Sequence, residues 1–141
     1  MTIPLVAITP DDINTFIKGA FPGIGSDCIE VGPRHAVARR VITAEHIRPG
    51  GYVSGPTQFA IADAALWYAL FGAVGIEAMA LTSELSIRFL RPAVGTALMA
   101  RAELDHVGRR SVVGTVTMWM DNTPDRRVSV AQGTYVRPAT A

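Results

Sequence analysis

The chain has 141 residues, with thirteen Lys and Arg against twelve Asp and Glu, and its net charge of +1 creates no long-range field that would recruit nucleic acid or an anionic membrane. Its hydrophobic fraction is 49% and its charged fraction 18%, a composition that predicts apolar surface shared between subunits. From this charge we expect no nucleic-acid partner. The single cysteine, Cys28, excludes an internal disulfide. The three histidines have no metal-ligand spacing, so we expect no metal site.

The length is that of one domain, residues 1–141, which can bury about two thirds of the surface of the unfolded chain. The first residues, MTIPLVAITPDD, contain no basic start followed by a long apolar run. They therefore do not resemble a signal peptide, and we expect a cytoplasmic protein.

The first elements are a helix and a hairpin. The sequence TPDD at residues 9–12 predicts a helix start, and apolar residues at helical spacing extend the helix over about residues 10–19. Two strands are predicted at residues 28–31 and 36–41, joined by a Gly-Pro turn.

A long apolar helix follows an irregular segment. Residues 46–56, HIRPGGYVSGP, contain five Gly and Pro residues that disfavour a regular element. Ser54 can cap the helix and Pro56 fits its first turn, while Gly72 or Gly75 can end it.

This helix carries one acid, Asp63, near its middle. Residues 59–76 are long enough to span a membrane, but many of them are Ala or Gly, and a central Asp costs about 2.5–3.5 kcal/mol on insertion. The sequence therefore favours a helix buried in protein, and we expect no membrane association.

The remaining chain alternates with period two. Strands are predicted at residues 81–89, 96–107, 110–120 and 127–137, with turn signals between the last three, which indicates an antiparallel meander. One sheet can bury a helix that is apolar nearly all round only by curling around it, and a second subunit must cover the rest. The predicted fold class is α+β: a hot-dog fold, in which a curved antiparallel sheet wraps around one long central helix.

The spacing of several motifs resembles the hot-dog-fold acyl-CoA thioesterases of the phenylacetyl-CoA thioesterase (PaaI) type. The residues that carry this resemblance are Arg48, Gly50-Gly51, Ser54-Gly55-Pro56, Ile61-Ala62-Asp63, Phe89-Leu90-Arg91-Pro92 and Gly95. The resemblance extends over about residues 25–137. The sequence departs from the family pattern where Ser54 replaces a His, where Pro56 replaces a Gly, and where Arg48 stands near the position of an Asn or Gln.

The resemblance implies that Asp63 is the catalytic carboxylate and that the Gly55 amide polarises the thioester carbonyl. Asp63 would activate a water as general base or attack the thioester directly, and the sequence leaves both roles open. The alternative is a structural acid that is hydrogen-bonded within an interface. Eight residues of helix span roughly 12 Å, too far for Gly55 and Asp63 of one chain to reach one carbonyl carbon, so a working site would combine two subunits. We expect a homodimer, assembled as a dimer of dimers.

Five further residues are candidates for substrate binding: Ser54, Arg48, Gln58, Thr82 and Trp67. Four of them also have a structural interpretation: a helix cap for Ser54, local hydrogen bonding for Gln58, an exposed strand face for Thr82 and plain core for Trp67.

The leading hypothesis is a thioester hydrolase, an acyl-CoA thioesterase that acts on an acyl or aryl-acyl thioester without a metal or redox cofactor. One alternative is a hot-dog protein that binds acyl-CoA without hydrolysing it. Another is a hot-dog dehydratase or hydratase, which the absence of a histidine on the central helix disfavours.

Overall fold

A computed structural model of the chain describes residues 7–139. Part of the segment on which the signal-peptide expectation rests, residues 1–6, lies outside this range. The first helix, α1, spans Pro10–Ala20, as predicted. Its start is fixed by a capping box, in which the Thr9 hydroxyl accepts from the Asp12 amide and the Asp12 carboxylate accepts from the Thr9 amide.

Between α1 and residue 139 the structure shows eight strands and a second helix. In chain order these are β1 (Asp27–Val31), β2 (His35–Val41), β3 (Ile47–Arg48), β4 (Tyr52–Val53), α2 (Gly55–Val74), β5 (Leu81–Phe89), β6 (Ala97–Val107), β7 (Ser111–Met120) and β8 (Arg127–Val136). Two short 3-10 turns, Pro22–Ile24 and Ala44–His46, precede β1 and β3.

Six strands form one antiparallel sheet in the order β1-β2-β6-β7-β8-β5. The predicted hairpin and meander are confirmed, and β5 closes the sheet by pairing with β8. Helix α2 contacts all six strands, and most of its side chains belong to the core. The structure confirms the predicted α+β hot-dog fold.

Helix α2 begins and ends for local reasons. The Ser54 hydroxyl accepts from the Thr57 amide at 3.3 Å, and Gly75 ends the helix with a φ of +92°. Of the two predicted terminators, Gly72 lies inside the helix. A Cβ at Gly72 would stand 2.1 Å from the Gly32 carbonyl oxygen, so this glycine lets the helix pack against the turn between β1 and β2.

Among the described residues, α2 is the one helix whose length and composition would allow it to cross a membrane. Of its most apolar 18-residue window, 61% is buried inside the fold. The core helix of a folded domain has the same properties, which favours the interpretation of α2 as a core helix.

Two expectations needed correction. The segment predicted to be irregular contains a small hairpin, β3-β4, because Gly50 and Gly51 adopt φ values of +102° and +84° and bring the Gly51 amide to the Arg48 carbonyl at 3.0 Å. Strand β5 has the two different faces predicted for it, since Leu85 and Ile87 pack against the core while the residues between them are exposed. Thr82 was expected on the exposed face, but the shift in pairing between Thr82 and Glu84 turns it toward α2. Within residues 7–139 the strand lies at the edge of the sheet and pairs only with β8, and its Leu81 and Phe89 are 68% and 54% exposed.

Candidate active site

Asp63 is half-buried on α2, and two hydroxyl groups hold its carboxylate. Thr82 Oγ1 donates to Asp63 Oδ1 at 2.6 Å, and the Tyr135 hydroxyl donates to the same oxygen at 2.5 Å. Burial and the neighbouring Asp63 charge raise the pKa of Tyr135 well above its ordinary value. Tyr135 therefore stays a neutral phenol and a hydrogen-bond donor to the carboxylate at neutral pH.

Sheet register brings the two hydroxyls together. Thr82 on β5 and Tyr135 on β8 are direct cross-strand partners, so both side chains lie on the same face of the sheet, the face that α2 covers. The register of β5 against β8 shifts between Thr82 and Glu84. This break in the regular pairing lies directly beside the Thr82–Tyr135 pair. The candidate site thus joins the middle of α2 to the start of β5 and the end of β8.

The Asp63 carboxylate lies at a cavity of about 600 Å³, which we call the Asp63 cavity. This volume lies in the usual range of small-molecule sites. Within the described part of the chain its walls are mostly apolar, with one cationic side chain, and are formed by Phe21, Gly23, Ile24, Arg40, Pro56, Thr57, Ala60, Asp63, Ala64, Trp67, Ala78, Ala80, Leu81, Thr82 and Tyr135.

Gly55 lies at a different cavity, of about 400 Å³, which we call the Gly55 cavity. Two arginines, Arg48 and Arg91, line it together with Gly55 and Gln58. Gly55 is the first residue of α2, where backbone amides have no partner inside the helix and the helix dipole favours negative charge. This end of α2 can therefore stabilise an oxyanion.

The structure does not bring the two predicted catalytic residues together within one chain. Asp63 and Gly55 line separate cavities, and the helix rise separates them by roughly 12 Å. A site that uses both must therefore draw them from two copies of the chain.

The predicted substrate-binding residues are divided between the two cavities. Thr82 and Trp67 lie at the Asp63 cavity, and Arg48 and Gln58 lie at the Gly55 cavity. Ser54 lines neither cavity, because its hydroxyl caps α2 and contacts the Thr57 hydroxyl at 2.9 Å.

Gln58 and Trp67 both have structural contacts as well. Gln58 is 4% exposed; its Oε1 accepts from Ser129 Oγ at 2.7 Å and its Nε2 donates to the Val53 carbonyl at 3.2 Å. The indole of Trp67 donates to the Glu77 carbonyl at 3.2 Å and packs at a tilt on Phe71, with ring centroids 4.9 Å apart. Trp67 therefore belongs to the core and lines the cavity.

Sequence reasoning missed Tyr135. A tyrosine at a buried position near the end of the last strand must find a partner for its hydroxyl, and this was the available signal. The pattern could not identify Asp63 as that partner, because the two residues lie 72 positions apart in the chain.

Comparison with solved structures supports the same fold. A candidate thioesterase from Silicibacter sp. TM1040 is 27% identical, with a TM-score of 0.85 and 96% of each chain covered. The PaaI protein of the Escherichia coli phenylacetic acid degradation operon is 24% identical, with a TM-score of 0.73 over 91% of this chain and 95% of that chain. A thioesterase family protein from Silicibacter pomeroyi is 23% identical, with a TM-score of 0.78 over 91% and 96%. A comparison with curated proteins found no match.

The sequence model of one family, the thioesterase superfamily, matches residues 50–125. This segment is more than half of the chain and contains Gly55, Asp63 and Thr82. The match confirms the predicted family and the predicted enzyme class, a thioester hydrolase. The chain belongs to the thioesterase superfamily.

Proposed function

We propose that the protein is an acyl-CoA thioesterase that hydrolyses an acyl or aryl-acyl thioester to the free acid and CoA. The observation that carries the proposal is the Asp63 carboxylate, held by two hydroxyls at the wall of a largely apolar cavity in a chain of this superfamily. A mostly apolar cavity suits an acyl group, and a fixed carboxylate suits the activation of a water molecule.

In the proposed reaction Asp63 is the general base. The two hydroxyls occupy Oδ1, and Oδ2 has no hydrogen-bond partner within residues 7–139, so Oδ2 takes a proton from water. The hydroxide attacks the thioester carbonyl carbon, and the Gly55 amide of the partner subunit stabilises the oxyanion. The carbon–sulfur bond then breaks, and the thiolate leaves and takes up a proton. Water, a carboxylate and an amide suffice for this chemistry, so we propose that it needs no metal or redox cofactor.

The CoA part of the substrate would lie toward the Gly55 cavity. Arg48 and Arg91 line this cavity and are exposed, and guanidinium groups bind phosphate well. The Gly55 amide lies at the same cavity. In this proposal the phosphates and the thioester carbonyl lie at one end of α2, and the Asp63 cavity of the partner is left for the acyl group.

A second copy of the chain would cover the exposed apolar edge. Strand β5 ends the sheet, and the residues Phe59, Met79, Leu81, Phe89 and Leu90 are each at least 41% exposed. Edge strands of this length are normally protected from pairing with other proteins. We propose a homodimer as the catalytic unit, further assembled as a dimer of dimers, in the cytoplasm.

The first test is free-thiol release over a panel of short, long and aromatic acyl-CoAs. We expect Asp63→Asn to lower kcat by about 100-fold or more, because the amide cannot take the proton from water. Asp105→Asn is the matched control, since Asp105 also accepts a threonine hydroxyl, from Thr115 at 2.7 Å, but lines neither cavity. A correctly folded Asp63→Asn protein with kcat within tenfold of the parent would refute the proposal.

Subunit mixing tests the shared site. Gly55→Pro removes the amide at a position where helices accept proline, and Gly55→Ala is its control because it adds a Cβ but keeps the amide. If Gly55 of one subunit works with Asp63 of the other, a heterodimer of Gly55→Pro and Asp63→Asn chains contains one intact site. Random mixing should then restore about a quarter of the parent activity from two inactive proteins. If both residues acted within one chain, mixing would restore nothing.

One observation favours a second candidate, an acyl-CoA-binding protein without turnover. Pro56, the second residue of α2, has no N–H, and the Ser54 hydroxyl is engaged in capping, so this helix start offers fewer donors than the family pattern. Binding of acyl-CoA with no thiol release from any member of the panel would support this candidate. The hydratase alternative has less support, since none of the three histidines lines either cavity.

A further inference from the structure

Arg40 brings a positive charge to the wall of the Asp63 cavity. It is on β2, where Ala36, Ala38 and Arg40 alternate with outward-facing residues, so its side chain lies on the face toward α2. Gly25 makes room for it: Gly25 has a φ of +74°, and a Cβ there would stand 2.1 Å from Arg40 Nη1. The fold thus accommodates a guanidinium in a mostly apolar cavity.

The guanidinium has no anionic partner in the described part of the chain. Its Nη1 donates to the Ile24 carbonyl at 2.9 Å, while its Nε is buried and has no hydrogen-bond partner. None of the ion pairs within residues 7–139 includes Arg40, and Asp63 directs Oδ1 to the two hydroxyls instead. A partly buried charge without a counter-charge is unfavourable. An anionic ligand that paired with Arg40 would therefore gain binding free energy from this contact.

The remaining neighbour, His46, offers the guanidinium a hydrogen-bond acceptor in one tautomer but no negative charge. His46 Nε2 lies 3.0 Å from Arg40 Nη2, and His46 Nδ1 lies 3.0 Å from the Thr43 amide. A neutral imidazole has one acceptor nitrogen and one N–H group. Whichever nitrogen carries the proton, one of these two contacts therefore brings the imidazole N–H against another N–H donor. The Glu45 carboxylate is 3.7 Å from His46 Nε2, but it is more than 4.0 Å from Arg40 and its side chain is 79% exposed.

We propose that Arg40 is a specificity-determining residue that binds a carboxylate at the far end of the acyl group, so that the preferred substrates are CoA half-thioesters of dicarboxylic acids. The inference rests on the proposed function and names its substrate class. A guanidinium can bind a carboxylate through two parallel hydrogen bonds, and the Arg40 side chain lines the cavity in which this carboxylate would lie. The apolar wall residues Ile24, Trp67 and Leu81 would contact the methylene chain or ring between the thioester and the carboxylate.

The test compares substrates that differ only at the distal group. Adipoyl-CoA and hexanoyl-CoA have the same chain length, as do glutaryl-CoA and pentanoyl-CoA, and kcat/KM is measured for each pair by thiol release. We expect the parent protein to prefer the dicarboxylic member of at least one pair by roughly ten- to a hundredfold, the range for a hydrogen bond to a charged group. A parent protein with no such preference would overturn the proposal before any variant is made.

Variants then assign the preference to Arg40. Arg40→Met keeps a stem of similar length and removes the charge, and we expect the ratio of kcat/KM within a pair to approach one. Arg40→Lys should keep part of the preference, because the charge remains but the fork of donors is lost. Arg39→Met is the control, since Arg39 is the neighbouring residue on the opposite face of β2 and should keep the parent ratio. An equal loss for both members of a pair in Arg40→Met would show a structural role and overturn the proposal.

Binding measurements separate this inference from the proposed function. If no thioester is hydrolysed, the same ratio is obtained from the dissociation constants of adipoyl-CoA and hexanoyl-CoA by calorimetry. Tighter binding of adipoyl-CoA that Arg40→Met abolishes would support the role of Arg40 in a binding protein. Equal dissociation constants would refute it whether or not the protein hydrolyses thioesters. If Arg40→Met does not fold, the parent preference and Arg40→Lys decide the outcome.

Discussion

The hydroxyl of Tyr135 is the contact whose removal tests the site most directly. The Tyr135→Phe substitution deletes one atom from a side chain that is 5% exposed and leaves the ring in place. The lost bond is a short one, 2.5 Å, to a carboxylate, and such charge-assisted bonds contribute about 1.5–3 kcal/mol. If this free energy holds Asp63 in its working position, kcat falls by roughly ten- to a hundredfold. Activity should not vanish, because the Thr82 hydroxyl still donates to Asp63.

The assay is steady-state thiol release, with kcat and KM determined separately. A residue that positions Asp63 should lower kcat and leave KM nearly unchanged. In the Asp63→Asn background, Tyr135→Phe should have no further effect, because the group that it positions is already inactive. This double-mutant cycle separates positioning from a general loss of structure.

Tyr68→Phe is the matched control. Tyr68 is fully buried, and its hydroxyl donates to the Ser26 carbonyl at 2.6 Å, but it lines neither cavity. We expect it to lower the free energy of unfolding by about 1 kcal/mol and to leave kcat close to that of the parent. If Tyr135→Phe keeps kcat within twofold of the parent, or if Tyr68→Phe lowers kcat equally, the proposed role of Tyr135 is wrong.

Two further predictions concern assembly and alkaline stability. Phe59 is 41% exposed on a helix that is mostly core. Phe59→Glu should therefore yield monomers, measured by light scattering, and abolish turnover. Arg109 is exposed in a turn, so the control Arg109→Glu should keep the parent mass. Burial raises the pKa of Cys28 from 9.0 to about 11, so between these values the folded protein binds more protons than the unfolded one, and stability decreases as pH rises. Each pKa unit corresponds to 1.36 kcal/mol. Between pH 9 and 11 the free energy of unfolding of the parent, measured in urea, should therefore fall by about 2–3 kcal/mol more than that of Cys28→Ala. Equal losses in the two proteins would contradict this assignment.

Features that depend on local sequence were predicted well. The start of α1, the start of α2 at Ser54 and the strands of the meander follow from caps, turns and period two, which act over a few residues. Asp63 stood out because a lone acid contradicts the apolar pattern of its helix. These signals required no knowledge of the rest of the fold.

Features that depend on long-range pairing were not predicted. The register of β5 against β8 places Thr82 opposite Tyr135, and nothing in either strand specifies that register. The exposure of β5 follows from its edge position, which a period-two pattern does not encode. Arg40 was missed for a similar reason, since its place at the cavity depends on the pairing of β2 with β6 and on the backbone at Gly25.

The positions of Asp63 and Arg40 explain why an apolar core helix can carry an acid. The carboxylate is tolerated because two strands that are distant in sequence supply hydroxyl donors, so the charge does not depend on a buried cation. Among residues 7–139, Arg40 is the one cationic side chain that lines the cavity, and it therefore remains available, whereas an ion pair with Asp63 would have neutralised both groups. A cavity with a free carboxylate oxygen and a separate guanidinium can hold a molecule with an electrophilic carbon at one end and a negative charge at the other. We therefore propose that the hydroxyl pair supports both the base role of Asp63 and the binding role of Arg40.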